Sequence, residues 1–152
     1  MKHLQTFCIK GSPSTRTAQQ KGVRVVRGHV QFYEKKEVTE TKDSLKAALM
    51  GNAPEEPYSD PLCLRLMWVF DKKSMSKAEN NTFNVTRPDV DNLAKGTIDC
   101  LVDCGYFDDD SLISKLELSK AWSKEYPGLY IQIFSMTDEE DFEEEILNWS
   151  RL

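Results

Sequence analysis

The residues best suited to chemistry are acidic and lie close together between positions 87 and 110. Asp89 and Asp91 stand two residues apart at the start of a predicted helix, so both carboxylates can face one cation. Carboxylate oxygens suit Mg²⁺, which is usually held by one or two protein carboxylates together with substrate phosphates. An aspartate such as Asp91 is also a common helix N-cap, so the pair alone leaves a metal site and a structural role open.

Further charged groups follow along the flank of that helix. Lys95 lies one turn after Asp91, and Asp99 lies one turn later, beside an apolar stripe. Lys95 and Asp99 are spaced for a simple ion pair worth a few tenths of a kcal/mol. A lysine beside a metal can instead hold a phosphate oxygen or stabilise charge in a transition state, so both interpretations of Lys95 stay open.

Three adjacent aspartates, Asp108, Asp109 and Asp110, precede a predicted strand. Adjacent carboxylates repel one another unless a cation or several hydrogen-bond donors lie nearby. The alternating ligands and closing glutamate of an EF-hand calcium loop are absent. The triplet is therefore harder to explain as solvated surface than as part of a cation site.

Apolar periodicity predicts the elements that hold these residues in place. Apolar side chains at every second position from 62 to 70 predict a strand with one buried face, and the polar stretch 71–86 predicts a loop. Helical spacing predicts a helix over 91–104, which Gly105 can end because glycine commonly caps a helix C-terminus. The acidic residues thus lie at both ends of this helix.

Shorter signals complete a single α+β domain with a mixed sheet packed against helices. A strand is predicted over 4–10 and a helix over 37–50. Two strands over 112–122 and 129–133 are expected to pair as a hairpin, because only a short turn separates them. A chain of 152 residues can bury an ordinary core without a second domain.

Basic side chains gather near the start of a chain whose formal net charge is -5. Residues 1–33 contain six lysines and arginines and no acid, and alternating apolar residues around Arg27 and Gly28 predict a β-hairpin there. Such a surface can follow nucleic-acid phosphates, although ordinary solvated surface is the alternative. With a further arginine beside the acidic cluster, the candidate DNA-binding residues are Lys10, Arg16, Lys21, Arg24, Arg27 and Arg87.

An acidic segment lies at the other end of the sequence. Residues 138–145 include seven aspartates and glutamates, and Phe142, Ile146 and Trp149 recur at helical spacing. We expect a main domain over 1–137, followed over 138–152 by an acidic tail that forms an amphipathic helix. Its charge makes a basic partner the natural ligand of this tail.

Other functional classes are poorly supported. The four cysteines include no CxxC pair and there are only two histidines, so ordinary reduced thiols are expected in place of a zinc site. No apolar run is long enough for a signal peptide or a membrane span, which predicts a soluble, intracellular protein.

The run RPDVDNLAKGTIDCLVDCGYFDDDSLISKLELSK, residues 87–120, resembles the active-site block of the RusA family of Holliday-junction resolvases. The shared pattern is a basic residue, DxDNxxK, an aspartate four residues after the lysine, a glycine, then an aromatic residue and DD before a strand. Agreement is weaker outside this block, where a Gly-x-Pro loop precedes Arg16. Pro88 agrees with the form of the motif found in phage and prophage members.

The resemblance implies a role for each acidic position. The metal-binding carboxylates of the family correspond to Asp89, Asp91 and Asp110, and its catalytic lysine corresponds to Lys95. Asp99 and Asp109 correspond to further acidic positions. The implied protein is a two-fold symmetric homodimer with a RusA-like fold in the bacterial cytoplasm. With Mg²⁺, or Mn²⁺ as a substitute, it nicks four-way DNA junctions symmetrically.

Two alternatives share much of this evidence. A nuclease of the same fold that acts on flaps, forks or phage packaging intermediates would have the same active site. A non-catalytic DNA-binding dimer would keep the basic surface, but a complete set of metal ligands argues against it.

The position of Asp110 sets a geometric condition. A helix over 91–104 carries the chain roughly 20 Å from Asp89 and Asp91 at 1.5 Å per residue. Residues 105–110 reach about 20 Å at most when fully extended. The chain must therefore double back along the helix, or Asp110 must complete the site of the other protomer.

Overall fold

A five-stranded mixed sheet is the framework of the computed structural model, which describes residues 1–17, 21–71 and 79–151. In spatial order its strands are β1 (Lys2–Lys10), β7 (Gly128–Ser135), β4 (Leu62–Asp71), β6 (Ile113–Ser123) and β5 (Thr82–Phe83). A separate hairpin consists of β2 (Lys21–Val26) and β3 (His29–Glu34), and the helices are α1 (Lys36–Met50), α2 (Val90–Asp103) and α3 (Glu139–Ser150). The predicted α+β class with a mixed sheet and helices is confirmed.

Strand β4 lies at the centre of the sheet, where it runs parallel to β6 and antiparallel to β7. The prediction that the strands over 112–122 and 129–133 pair as a hairpin is therefore wrong. A short connection usually indicates a hairpin, but residues 124–127 need only cross the end of β4, about 10 Å at ordinary strand spacing. Cys63 and Val69 are buried as well as the predicted face, so both faces of β4 are covered, as is typical of a strand inside a sheet.

Helices α1 and α2 cover one face of the sheet. The stripe of α2 buries Leu93, Ala94, Ile98 and Leu101 against the even-numbered side chains of β4. Beyond α2, the ring of Tyr106 stacks on Phe7 of β1 at 5.8 Å between centroids. Helix α2 thus crosses the sheet towards β1.

The predicted glycine cap of α2 is confirmed. Gly105 has a φ of 77°, in the left-handed region where glycine meets no steric penalty. Its N–H donates to the carbonyl of Val102, and the N–H of Tyr106 donates to that of Leu101. These two bonds form a Schellman motif, which satisfies carbonyls of the last turn and directs the chain back.

The β2–β3 hairpin stands apart from the main sheet. Arg27 and Gly28 both have positive φ, 51° and 77°, as a two-residue hairpin turn requires. The cross-strand pairs Val23 with Phe32 and Val25 with Val30 share one face. All four side chains are exposed, Phe32 by 70%.

Helix α3 occupies the region where the sequence predicts a terminal helix, and ionic contacts attach it to the sheet. The amino group of Met1 donates to Asp141, and Lys115 Nζ donates to Glu145 at 2.5 Å. Its large apolar side chains are exposed, Trp149 by 68%. None of the helices in the described ranges has the length and hydropathy to cross a membrane.

Part of the predicted loop over 71–86 falls on residues 72–78, which lie outside the described residues. The rest of it contains strand β5, which the sequence did not predict. Two residues are too few for apolar alternation to reveal.

Candidate active site

Asp89 and Asp91 lie at the start of α2 and are exposed to solvent. Asp89 occupies the N-cap position with an extended backbone, and Asp91 lies in the first turn. The Asp89 side chain makes no capping hydrogen bond, and Asp91 lies inside the helix, which begins at Val90, so the structure does not support the alternative of Asp91 as the N-cap. Neither carboxylate takes part in an ion pair within the described chain. Both are therefore available to a cation.

The turn that leads into Asp89 is tied to strand β6. The buried Asn84 accepts hydrogen bonds through Oδ1 from the N–H and hydroxyl of Thr86, and its own N–H donates to the carbonyl of Lys120. Lys120 Nζ donates to the carbonyls of Thr86 and Pro88 at 2.5 and 2.8 Å. The sequence analysis missed Asn84 and Lys120. The one available signal was a lysine on the apolar face of a strand.

Lys95 is exposed one turn after Asp91, and Asp99 is half-buried one turn further along α2. The simple Lys95–Asp99 ion pair that the spacing permits is not among the ion pairs of the described residues. Lys95 therefore presents its ammonium group to solvent one turn further along the helix than Asp91, where a phosphate oxygen can reach it.

The aspartate triplet leads into a short 3₁₀ helix over Asp110–Leu112. Asp109 caps this helix by accepting a hydrogen bond from the Ser111 N–H at 2.8 Å. Hydrogen bonds from Ser111 hold the pKa of the Asp109 carboxyl below its usual value, so it remains anionic. Asp108 and Asp110 are exposed and are not paired with any cation in the described part of the chain.

The 3₁₀ helix follows α2 after six residues and contacts it. Buried Tyr106 and Phe107 anchor this connection, and Phe107 bridges to Tyr58. The described residues nevertheless include no group of three or more His, Cys, Asp or Glu side chains close enough to hold a metal ion. The structure therefore does not gather Asp89, Asp91 and Asp110 around one point.

The donor set still suits Mg²⁺. All the candidate ligands are carboxylates, Asp89 and Asp91 are one turn or less apart, and neither is neutralised by a lysine or arginine. Mg²⁺ needs only one or two protein carboxylates when substrate phosphates and water complete its coordination.

The cysteines take no part in such a site. All four are unbridged, and Cys104 donates through Sγ to the carbonyl of Lys46. Burial raises the pKa of the Cys100 thiol to about 11, so it stays protonated and is a poor zinc ligand.

The predicted DNA-binding cations form no ion pairs with acidic side chains of the described residues. Among the described residues, none of Lys10, Arg16, Lys21, Arg24, Arg27 and Arg87 forms an ion pair, whereas the paired side chains are Lys36, Lys42, Lys46, Arg65 and Lys115. Arg24 is held in another way, because its Nε donates to Gln31 and its guanidinium lies 5.7 Å from the Tyr33 ring centre. Unpaired cations keep their full charge for phosphates.

Two of these cations line a groove beside helix α2. The groove has a volume of about 590 Å³ and lies between the loop after β1, helix α1 and the first turns of α2. Lys10 and Arg16 line one side of it, and Asn92, the neighbour of Asp91, lines the other. The hairpin cations lie on a separate element, so Lys10 and Arg16 share this groove with the start of α2, whereas Arg24 and Arg27 do not line it.

Two comparisons show which known proteins this chain is similar to. The family model described as endodeoxyribonuclease RusA matches residues 11–134. A crossover junction endodeoxyribonuclease rusA of Lactococcus phage r1t is 38% identical over 120 residues, which cover 79% of this chain and 88% of that protein. The family match includes the hairpin, the groove except for Ile9 and Lys10, and every candidate acidic residue, and it ends before α3.

Proposed function

Because the chain belongs to the RusA family of endodeoxyribonucleases, we propose that it resolves four-way DNA junctions by paired symmetric nicks that require Mg²⁺. The observation that carries this proposal is the pair of unneutralised carboxylates, Asp89 and Asp91, at the start of the helix whose Asn92 lines the same groove as Lys10 and Arg16. This arrangement offers phosphate contacts leading to a cation site, as a phosphodiesterase needs. The relative from Lactococcus phage r1t is named for the same activity on crossover junctions.

Asp89, Asp91 and Asp110 would hold the cation, with Mn²⁺ as a possible substitute for Mg²⁺. When bound, the cation orients an attacking water and neutralises charge on the phosphate and the leaving oxygen. Asp110 does not lie close to the other two carboxylates in the protomer. We therefore propose that Asp110 binds the cation once DNA is bound, or that it completes the site of the other protomer. Lys95 would stabilise the charge that develops on the phosphate.

A two-fold symmetric homodimer would present two such sites to a symmetric junction. The apolar face of the hairpin supports this assembly. An isolated two-stranded hairpin is at best marginally stable in water, and this one exposes Val23, Val25, Val30 and Phe32 together. A second copy that packs on this face would bury them and leave Arg24 and Arg27 free for DNA.

The remaining assignments follow the same family. We propose that residues 1–137 form the nuclease domain, that 138–152 form an appended acidic segment for a basic partner, and that the enzyme acts in the cytoplasm of a bacterial cell. Acidic side chains and exposed apolar groups on α3 are the features that support such a partner.

The deciding experiment compares labelled four-way junction, fork, flap and plain duplex, with and without Mg²⁺, on gels. The wild type should nick the junction symmetrically and only with Mg²⁺, whereas Asp89→Asn, Asp91→Asn and Asp110→Asn should bind it without cleavage. Asp103→Asn is the matched control, because Asp103 lies on the same helix but is paired with Lys46 at 2.6 Å. Nicking retained in all three active-site variants would refute the site, and preference for flaps or forks would refute the junction substrate.

A further inference from the structure

Lys120 occupies an unusual place for a lysine. It lies on β6 with Leu118 and Trp122, which face α2 and the core, and its side chain is half-buried. No ion pair of the described residues includes it. Its ammonium group instead donates to two backbone carbonyls, those of Thr86 and Pro88. Keeping a charge half-buried without an acidic partner has a free-energy cost that these two bonds must offset.

The two carbonyls belong to the segment that places Asp89. Strand β5 pairs with β6 only at Thr82 and Phe83, and one further backbone bond joins the Asn84 N–H to the carbonyl of Lys120. Beyond Asn84 the backbone ladder ends. Between Thr86 and Pro88, the residue before Asp89, the Lys120 side chain instead connects the segment to the sheet.

We propose that Lys120 is a positioning residue that fixes the direction of the Asp89 carboxylate towards the catalytic cation. This inference rests on the proposed function, because it assumes that Asp89 binds a divalent cation. Lys120 touches neither the carboxylate nor the reacting atoms; it acts through the carbonyls of Thr86 and Pro88. Residues that orient metal ligands from outside the coordination sphere typically change metal affinity or activity by about 10–100-fold when replaced.

The test compares Lys120→Met with Lys115→Met. Both lysines lie on β6 and are half-buried, but Lys115 lies on the opposite face, where it pairs with Glu117 and Glu145. We expect Lys120→Met to raise the Mg²⁺ concentration for half-maximal junction cleavage by about 10–100-fold and to leave junction affinity without metal unchanged. Lys115→Met should change neither quantity.

A second readout does not depend on cleavage. Mn²⁺ binding to the purified protein, followed by the loss of the free Mn²⁺ electron paramagnetic resonance signal, should weaken by the same factor in Lys120→Met. Lys120→Arg keeps donors for both carbonyls and should restore the metal dependence, which a general loss of stability would not explain. If Lys120→Met does not fold, Lys120→Gln, which keeps a single amide donor group, should give a smaller shift in the same direction.

The outcomes separate this inference from the function on which it rests. Wild-type Mg²⁺ dependence and Mn²⁺ affinity in folded Lys120→Met or Lys120→Gln would overturn the role of Lys120, even if Asp89→Asn abolishes cleavage. Wild-type cleavage by Asp89→Asn would overturn the proposed metal site, and the role of Lys120 with it.

Discussion

The groove beside the acidic cluster leads to a quantitative prediction about salt. Replacing Lys10 and Arg16 by alanine removes two unpaired cations from its wall. Each phosphate contact with duplex DNA contributes about 0.9 to the slope of log affinity against log salt concentration. If both side chains contact phosphates, the slope of the double variant should be smaller by about 1.8. The ratio of the wild-type affinity to the variant affinity for the junction should then fall roughly 12-fold between about 50 and 200 mM salt.

The assay is fluorescence anisotropy of a labelled four-way junction, titrated at several NaCl concentrations with EDTA present to prevent cleavage. Lys46→Ala is the matched control, because Lys46 is paired with Asp103 and does not line the groove. An unchanged slope in the double variant, or an equal decrease in Lys46→Ala, would refute the assignment of the groove to phosphate binding.

Three further predictions concern assembly and stability. Phe32→Asp places a charge in the exposed apolar face of the hairpin and should convert the dimer to a monomer in sedimentation velocity; an intact dimer would place the contact elsewhere. Tyr106→Phe removes a buried hydroxyl that donates to the Leu49 carbonyl at 2.7 Å. It should lower the free energy of unfolding in urea by about 0.5–1.5 kcal/mol, and an unchanged value would mean that the bond makes no net contribution. The bond from Lys115 holds the pKa of Glu145 below its ordinary value of 4.5, so it stabilises the attachment of α3 above that pH and is lost as pH falls below it. Amide protection factors in α3 should therefore drop in acid, and constant protection would show that the pair does not hold the helix.

Local patterns were sufficient to predict most elements but not their arrangement. The two positive-φ residues at Arg27 and Gly28, the cap at Gly105 and the alternation in β4 depend on neighbours in sequence, so the sequence reveals them. The order of strands depends on which apolar faces meet across the molecule. Apolar alternation indicates that a face is buried but does not identify the strand beside it, which is why the pairing of β6 and β7 was predicted wrongly.

In the candidate site, too, the contacts between neighbours in sequence could be predicted and the contacts between distant residues could not. Asp89, Asp91 and Lys95 lie within two turns of one helix, so their proximity follows from helix geometry. The bond from Lys120 to the Pro88 carbonyl joins positions far apart in sequence and has no local signal. Asp109, matched by resemblance to an acidic position of the site, has the local role of capping the 3₁₀ helix.

The pairing of β1 with β7 also governs when this protein can fold. Lys2 pairs with Ser135 and Lys10 with Gly128. Strand β1, which is synthesised first, therefore cannot pair until β7 has been synthesised more than a hundred residues later. Contacts between such distant segments require the closure of long loops and slow the folding of a domain. Because β7 also flanks β4, the central strand lacks one neighbour until the same moment. On the ribosome, apolar β4 must therefore remain without its full cover while residues 72–135 are synthesised, and this strand is where we expect newly made chains to aggregate.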